Sequence, residues 1–251
     1  MKRLSLWILA LALPILPGCK HAGYATGAAT VKSGSLARFV VHRDHMYAID
    51  QADLKVYEAT PEGSLRFASS TPVSGVAETL FPYEDLLFIG TRTGMLVYSL
   101  IDPVYPEFLG EAAHVYSCDP VVVQNDVAYV TLRSGSTCRR GDNALFVFDV
   151  SNPTAPREVA RRPMQSPRGL GVDGAILFVA DAREGLVVYD VHKPGHPRRV
   201  GSVPSISGYD VIADGGILYV SADSGLYQYA YDARGISQPQ PLSRIPIGSK
   251  R

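Results

Sequence analysis

Cysteine, tryptophan and long apolar runs are all scarce in this chain. Its 251 residues hold three Cys, one Trp and four Met, and the longest apolar stretch, Leu4 to Leu16, has 13 residues. Three thiols are too few for a disulfide-built mini-domain, and 13 residues fall short of the roughly 20 that a membrane-spanning helix needs. Excess charge is missing as well: 24 Lys and Arg face 24 Asp and Glu, with no like-charge block longer than two or three residues. That excludes the electrostatic footprint of a nucleic-acid binder and the composition of a disordered chain. No Gly-x-Ser-x-Gly elbow, Gly-rich phosphate loop of the Gly-x-x-x-x-Gly-Lys-Ser/Thr type, His-Glu-x-x-His or haem-type Cys-x-x-Cys-His occurs, so the local signatures of those chemistries are absent. What is plentiful is chain-benders. With 23 Gly and 18 Pro, about one residue in six, and 46% apolar residues, the chain reads as many short strands joined by turns.

The amino terminus is set apart from this pattern. Lys2 and Arg3 precede the apolar stretch, and Leu16-Pro17-Gly18-Cys19 closes it, the layout of a secretory signal. Those four residues resemble the bacterial lipobox: Leu16, Gly18 and Cys19 match and Pro17 departs. The resemblance implies cleavage before Cys19 and lipidation of its thiol, with acyl chains such as palmitate. Lys20, in place of the Asp associated with inner-membrane retention, implies the outer membrane. The alternative is an ordinary signal peptide with an incidental Cys. On this reading residues 1–18 are the signal, 19–35 a lipid-anchored flexible tether rich in Ala, Gly, Ser and Thr, and 36–251 the folded domain, part of the tether being available as a closing strand. Loss of Lys2 and Arg3 leaves 22 basic against 24 acidic side chains, a net charge of −2. Export implies an oxidising compartment, where Cys118 and Cys138 are a candidate disulfide, with free buried thiols as the alternative.

Self-similarity is the strongest signal in the domain. Leu96-Val97-Tyr98 with Asp102-Pro103 and Pro106, Phe146-Val147-Phe148-Asp149-Val150 with Asn152-Pro153 and Pro156, and Val187-Val188-Tyr189-Asp190-Val191 with Lys193-Pro194 and Pro197 align directly. Their aromatic anchors lie 50 and 41 residues apart, and weaker copies at Tyr57 and Tyr229 stand 41 before and 40 after. Each unit holds four short apolar runs, the first pair separated by turns placed at Asp44-His45, Glu84-Asp85, Asn125-Asp126, Asp173-Gly174 and Asp214-Gly215. Five units, about 37–75, 76–117, 118–167, 168–208 and 209–250, predict an all-β propeller of five four-stranded blades. A sandwich or barrel is the competing architecture. Tyr47, Tyr57, Tyr98, Tyr129, Tyr189, Tyr219 and Tyr229 then read as blade-to-blade packing rather than a ligand cage.

Ile176-Leu177-Phe178-Val179-Ala180-Asp181, Gly185 through Val191 and Val200-Gly201-Ser202 resemble the LVIVD repeat of bacterial secreted and surface proteins. Units three and four carry the pattern well, unit two adequately, and units one and five in outline. The resemblance implies a propeller, often lipid-anchored or secreted, and supplies no catalytic residues.

Candidate site residues gather on the connections between second and third strands: Asp50, Arg92, Arg133, Arg139, Arg140, Asp181, Arg183 and Asp223. These connections lie on the side where each blade's first strand starts, and the loop from Arg133 to Asp142 is the longest of them. The acids there either bind a cation or basic peptide or cap their own turns. His42-Arg43-Asp44-His45 is the one local constellation with metal-type donors and has no evident third ligand. His114 lies near enough in sequence to Cys118 to suggest a base and nucleophile, which a disulfide would preclude. The expected function is a non-catalytic envelope lipoprotein whose propeller binds or scaffolds an envelope protein or surface ligand, with no cofactor, no metal and no nucleic-acid partner. A metal-dependent propeller hydrolase of the lactonase type is the alternative.

Overall fold

The apolar runs become twenty strands in a computed structural model that describes residues 32–50, 52–113, 120–133, 143–234 and 238–247. Blade 1 is β1 (Phe39–His42), β2 (His45–Asp50), β3 (Asp53–Ala59) and β4 (Leu65–Pro72). Blade 2 is β5 (Ala77–Tyr83), β6 (Leu86–Thr91), β7 (Gly94–Ser99) and β8 (Glu107–Ala113). Blade 3 is β9 (Val121–Gln124), β10 (Val127–Leu132), β11 (Ala144–Asp149) and β12 (Arg157–Pro163). Blade 4 is β13 (Pro167–Asp173), β14 (Ile176–Asp181), β15 (Gly185–Asp190) and β16 (Arg198–Val203), and blade 5 is β17 (Gly208–Asp214), β18 (Ile217–Ala222), β19 (Gly225–Ala230) and β20 (Gln240–Pro246). Each sheet pairs its strands in sequence order and antiparallel, which is the five-bladed propeller expected from the repeat. First strands line the axis, and fourth strands form the rim.

The hairpin turns between first and second strands fall at 43–44, 84–85, 125–126, 174–175 and 215–216. In blades 1, 4 and 5 this is one residue away from the sequence assignment: His45 opens β2, while Asp173 and Asp214 close β13 and β17. These short turns need left-handed backbone. Arg43, Glu84, Asn125, Asp126, Gly174, Gly215 and Gly216 all have positive φ, so the conformation is imposed even where no Gly or Asn is present.

Buried apolar clusters join neighbouring blades. One packs Tyr47, Leu54 and Val56 of blade 1 against Leu80, Leu87 and Ile89 of blade 2, and another packs Phe88, Met95 and Val97 against Val121, Val130 and Phe146 of blade 3. A third joins Tyr129, Leu145 and Val147 to Leu170, Leu177 and Val179 of blade 4, and a fourth joins Ile176, Phe178 and Val188 to Val211, Leu218 and Val220 of blade 5. Five of the seven anchor tyrosines are buried, as expected for packing, while Tyr57 is half-buried and Tyr219 exposed. Tyr47 and Tyr129 also donate their hydroxyls to the carbonyls of Pro103 and Pro194 in the next blade, at 3.0 and 2.9 Å.

Among the described residues no such cluster joins blade 5 to blade 1. Phe39, Tyr219 and Leu226 are exposed on the two faces that flank this seam. Polar contacts across it run through Lys32–Leu36, a segment read from sequence as tether and domain start. Lys32 Nζ donates to the Ala213 carbonyl at 2.7 Å and lies 3.7 and 3.6 Å from the carboxylates of Asp173 and Asp214. Ser35, fully buried, donates to Asp210 at 2.8 Å and accepts from the Leu170 amide at 2.8 Å. Lys32 therefore sits at the turn end of β13 and β17 and Leu36 near their starts. The segment runs up the axis against four blades before Ala37 N bonds Gly34 O at 3.1 Å and the chain turns down into β1. A Cβ on Gly34 or on Gly169 would collide with the Asp210 carboxylate, which explains the two glycines.

Candidate ligand face and channel-mouth pocket

β13 begins opposite the end of β14, with Pro167 paired to Asp181. The starts of the first strands and the connections between second and third strands therefore share one face. A pocket of about 170 Å³ opens at the centre of that face, over Leu36. Every blade contributes to its wall: Leu36 leads into β1, Glu78 and Thr79 lie in β5, Pro120 precedes β9, Pro167 and Arg168 begin β13, Tyr209 lies in β17, and Arg133 follows β10.

Its electrostatics follow from who holds whom. Glu78 is engaged by Arg92, whose Nε lies 2.9 Å from its carboxylate. Asp223 accepts the Tyr209 hydroxyl, which raises the phenol's pKa. The Arg168 guanidinium lies 4.7 Å from the centre of the Tyr209 ring and donates Nη1 to the Gly208 carbonyl at 3.2 Å, while its Nε is buried without a partner among the described residues. Beneath the pocket floor, Asp210 takes hydrogen bonds from Ser35 and from the amides of Leu36 and Val211, yet burial pushes its pKa up. A guanidinium stays charged at any working pH and donates only. The pocket is equipped to hold a charged group in place.

The sequence-selected residues divide among several roles. Arg133 lines the pocket, while Arg92 and Asp223 hold pocket residues. Asp50 is exposed and paired with Lys55, and Arg183 is exposed. Asp181 is fully buried and accepts the amides of Gln165, Ser166, Arg183 and Glu184 at 2.8–3.2 Å, so this acid caps its own turn. Cys19, His114, Cys118, Cys138, Arg139 and Arg140 lie outside the described residues. His42 and His45 are paired across their hairpin and share a face, but no group of three His, Cys, Asp or Glu residues able to hold a metal ion occurs among the described residues. Arg168, Tyr209, Pro120 and Pro167 were not selected from sequence. Aligning the starts of the first strands brings them together, since Pro120, Pro167 and Tyr209 fall about one repeat apart.

Residues 140–162 and 167–204 match the model of the LVIVD repeat, the second segment coinciding with blade 4. These two segments of the chain are LVIVD repeats. No curated protein matches it in sequence. Among solved structures, the chain resembles a functionally unknown protein from Desulfotomaculum acetoxidans, with a TM-score of 0.68 and 12% identity over 84% of this chain and 70% of the other. It also resembles a periplasmic gluconolactonase of Pseudomonas aeruginosa, with a TM-score of 0.61 and 17% identity over 82% and 68%. A protein from Lactobacillus plantarum gives 0.61 and 15% over 81% and 68%. At these identities the likeness is one of fold.

Proposed function

We propose that the LVIVD-repeat propeller is a non-catalytic binding module, held at the bacterial envelope through a lipid on Cys19 and presenting its first-strand face to a protein partner. The observation that carries this reading is the pocket at the centre of that face, walled by residues from all five blades and ringed by the charged connections at Arg92, Arg133, Arg183 and Asp223. A rigid frame bearing loops of mixed charge around a shallow central hollow suits recognition of another surface. Lipobox-like Leu16, Gly18 and Cys19 support the anchor, and Lys20 supports the outer membrane as its site.

Photo-crosslinking amino acids placed in intact cells at exposed Thr93, Arg183 or Ser224, on the proposed face, test this against Glu84 and Asp126 on the hairpin-turn face. Specific adducts are expected from the first set. Adducts confined to the second set, or from neither, overturn the reading. A Cys19→Ala variant, recovered from soluble rather than membrane fractions, checks the anchor.

A further inference from the structure

We infer that the channel-mouth pocket recognises a carboxylate carried on a short apolar body, with Arg168 as the group that binds it. The inference rests on the proposed binding face and adds the chemistry of what enters its centre.

Both acids beside the pocket are occupied, Glu78 by Arg92 and Asp223 by the Tyr209 hydroxyl. Arg168 has no carboxylate within ion-pairing distance among the described residues; one guanidinium hydrogen bonds the Gly208 carbonyl at 3.2 Å, and Nε has no partner. The remaining donors of this planar fork, stacked on Tyr209 at 4.7 Å and so fixed in orientation, form a ready site for a carboxylate. A cationic ligand would meet this guanidinium and would have to displace Arg92 or Tyr209 from the acids they hold.

The other walls set the rest of the ligand. Leu36, Pro120 and Pro167 are apolar, and the two prolines have no amide hydrogen to offer. A volume of about 170 Å³ is below that of a typical pocket for a drug-sized molecule, about 300 Å³ or more. It suits a small organic acid of a few carbons or the last residue of a chain whose remainder lies outside. Both sources present the same chemistry, a terminal carboxylate next to an aliphatic group.

Calorimetric or NMR titration of the purified protein distinguishes them. The probes are butyrate and isovalerate as free acids, and an acetylated tetrapeptide ending in leucine, alongside the same peptide as its C-terminal amide. Binding by the free acids assigns a small-molecule site; binding by the peptide acid and not the amide assigns a chain terminus. In either case Arg168→Gln is expected to weaken binding at least tenfold. Arg168→Lys, which keeps charge but loses the fork, should fall between, and Glu84→Gln, on the opposite face, should leave binding unchanged. Equal binding of acid and amide, no binding of any probe, or undiminished binding by Arg168→Gln with an unchanged melting temperature overturns the inference. Arg168→Lys keeps the test sound should the Gln variant fold poorly. The titrations are independent of the crosslinking: adducts on this face with no carboxylate binding overturn the pocket assignment alone, and carboxylate binding without adducts overturns the protein-partner reading alone.

Discussion

His42 ends β1 with both ring nitrogens buried and unpartnered among the described residues, beside Arg43, whose guanidinium is 2.6 Å from Asp85. Desolvation lowers its pKa below the ordinary 6.5, and the Arg43 charge lowers it further. The folded state thus disfavours protonation of a group that the unfolded chain protonates near pH 6.5. Its contribution is complete above that value and is lost as pH falls, by up to about 1.4 kcal/mol per pH unit. The urea midpoint of the wild-type protein is expected to drop from pH 7.5 to pH 5.5 more steeply than that of His42→Leu, and parallel profiles would refute the assignment. Sequence alone displayed two imidazoles three residues apart. It did not show that one is buried beside the Glu84-Asp85 turn of blade 2, because that depends on a neighbour about 40 residues away.

At the scale of the element, the recurring residues have mechanical reasons that the repeat made visible without explaining. Every blade shifts register between its third and fourth strands immediately before the anchor aromatic, at Tyr57, Tyr98, Phe148, Tyr189 and Tyr229. Each shift leaves one extra residue on the rim strand, a bulge that bends it and increases its twist. The acid after the anchor is also accounted for. Asp190 accepts the His192 amide at 3.0 Å and its ring Nδ1 at 2.7 Å, and receives Arg198 at 2.9 Å, which pulls its pKa down to about 2; Asp149 serves Ser151 in the same way. These acids initiate the Pro-x-x-Pro connection. Asp190→Ala is expected to cost about 1 kcal/mol in chemical denaturation at pH 7. Because the folded pKa is depressed, the difference from wild type should vanish as pH falls from about 4 toward 2. Turn type was legible at Asn125-Asp126, where both residues tolerate positive φ, and misplaced by one residue at Asp173 and Asp214, where the Asp-Gly pair attracted the assignment but the second turn position fell on Ala175 and Gly216.

Across the whole molecule, the first and fifth repeats match the pattern least well because, among the described residues, each packs only one sheet face on a neighbouring blade. β14, covered on both faces, is buried throughout as Ile-Leu-Phe-Val-Ala-Asp. By contrast β18 alternates burial as Ile-Leu-Tyr-Val-Ser-Ala, and β2 likewise. Terminal units of repeat proteins lose apolar residues on the unpacked side for this reason. Native-state hydrogen exchange should therefore protect β6, β10 and β14 most and β20 least, and uniform protection around the ring would count against the seam. Phe178→Ala, which removes a ring packed edge-on 4.9 Å from Tyr231, is expected to cost about 3–5 kcal/mol, and Tyr219→Ala on the seam less than about 1. The fold and its count of blades were thus legible from periodicity, whereas the pocket was not, since its wall is assembled from single residues scattered at the starts of the first strands.

Lys32–Leu36 also fills the axis of the propeller. With this segment along the axis, the cavity beside Ser33 is only about 30 Å³, against about 170 Å³ over Leu36. Among the described residues the propeller is accordingly closer to a cup than to a tube: the segment forms a floor under the pocket, and what settles over Leu36 is expected to enter and leave through the first-strand face.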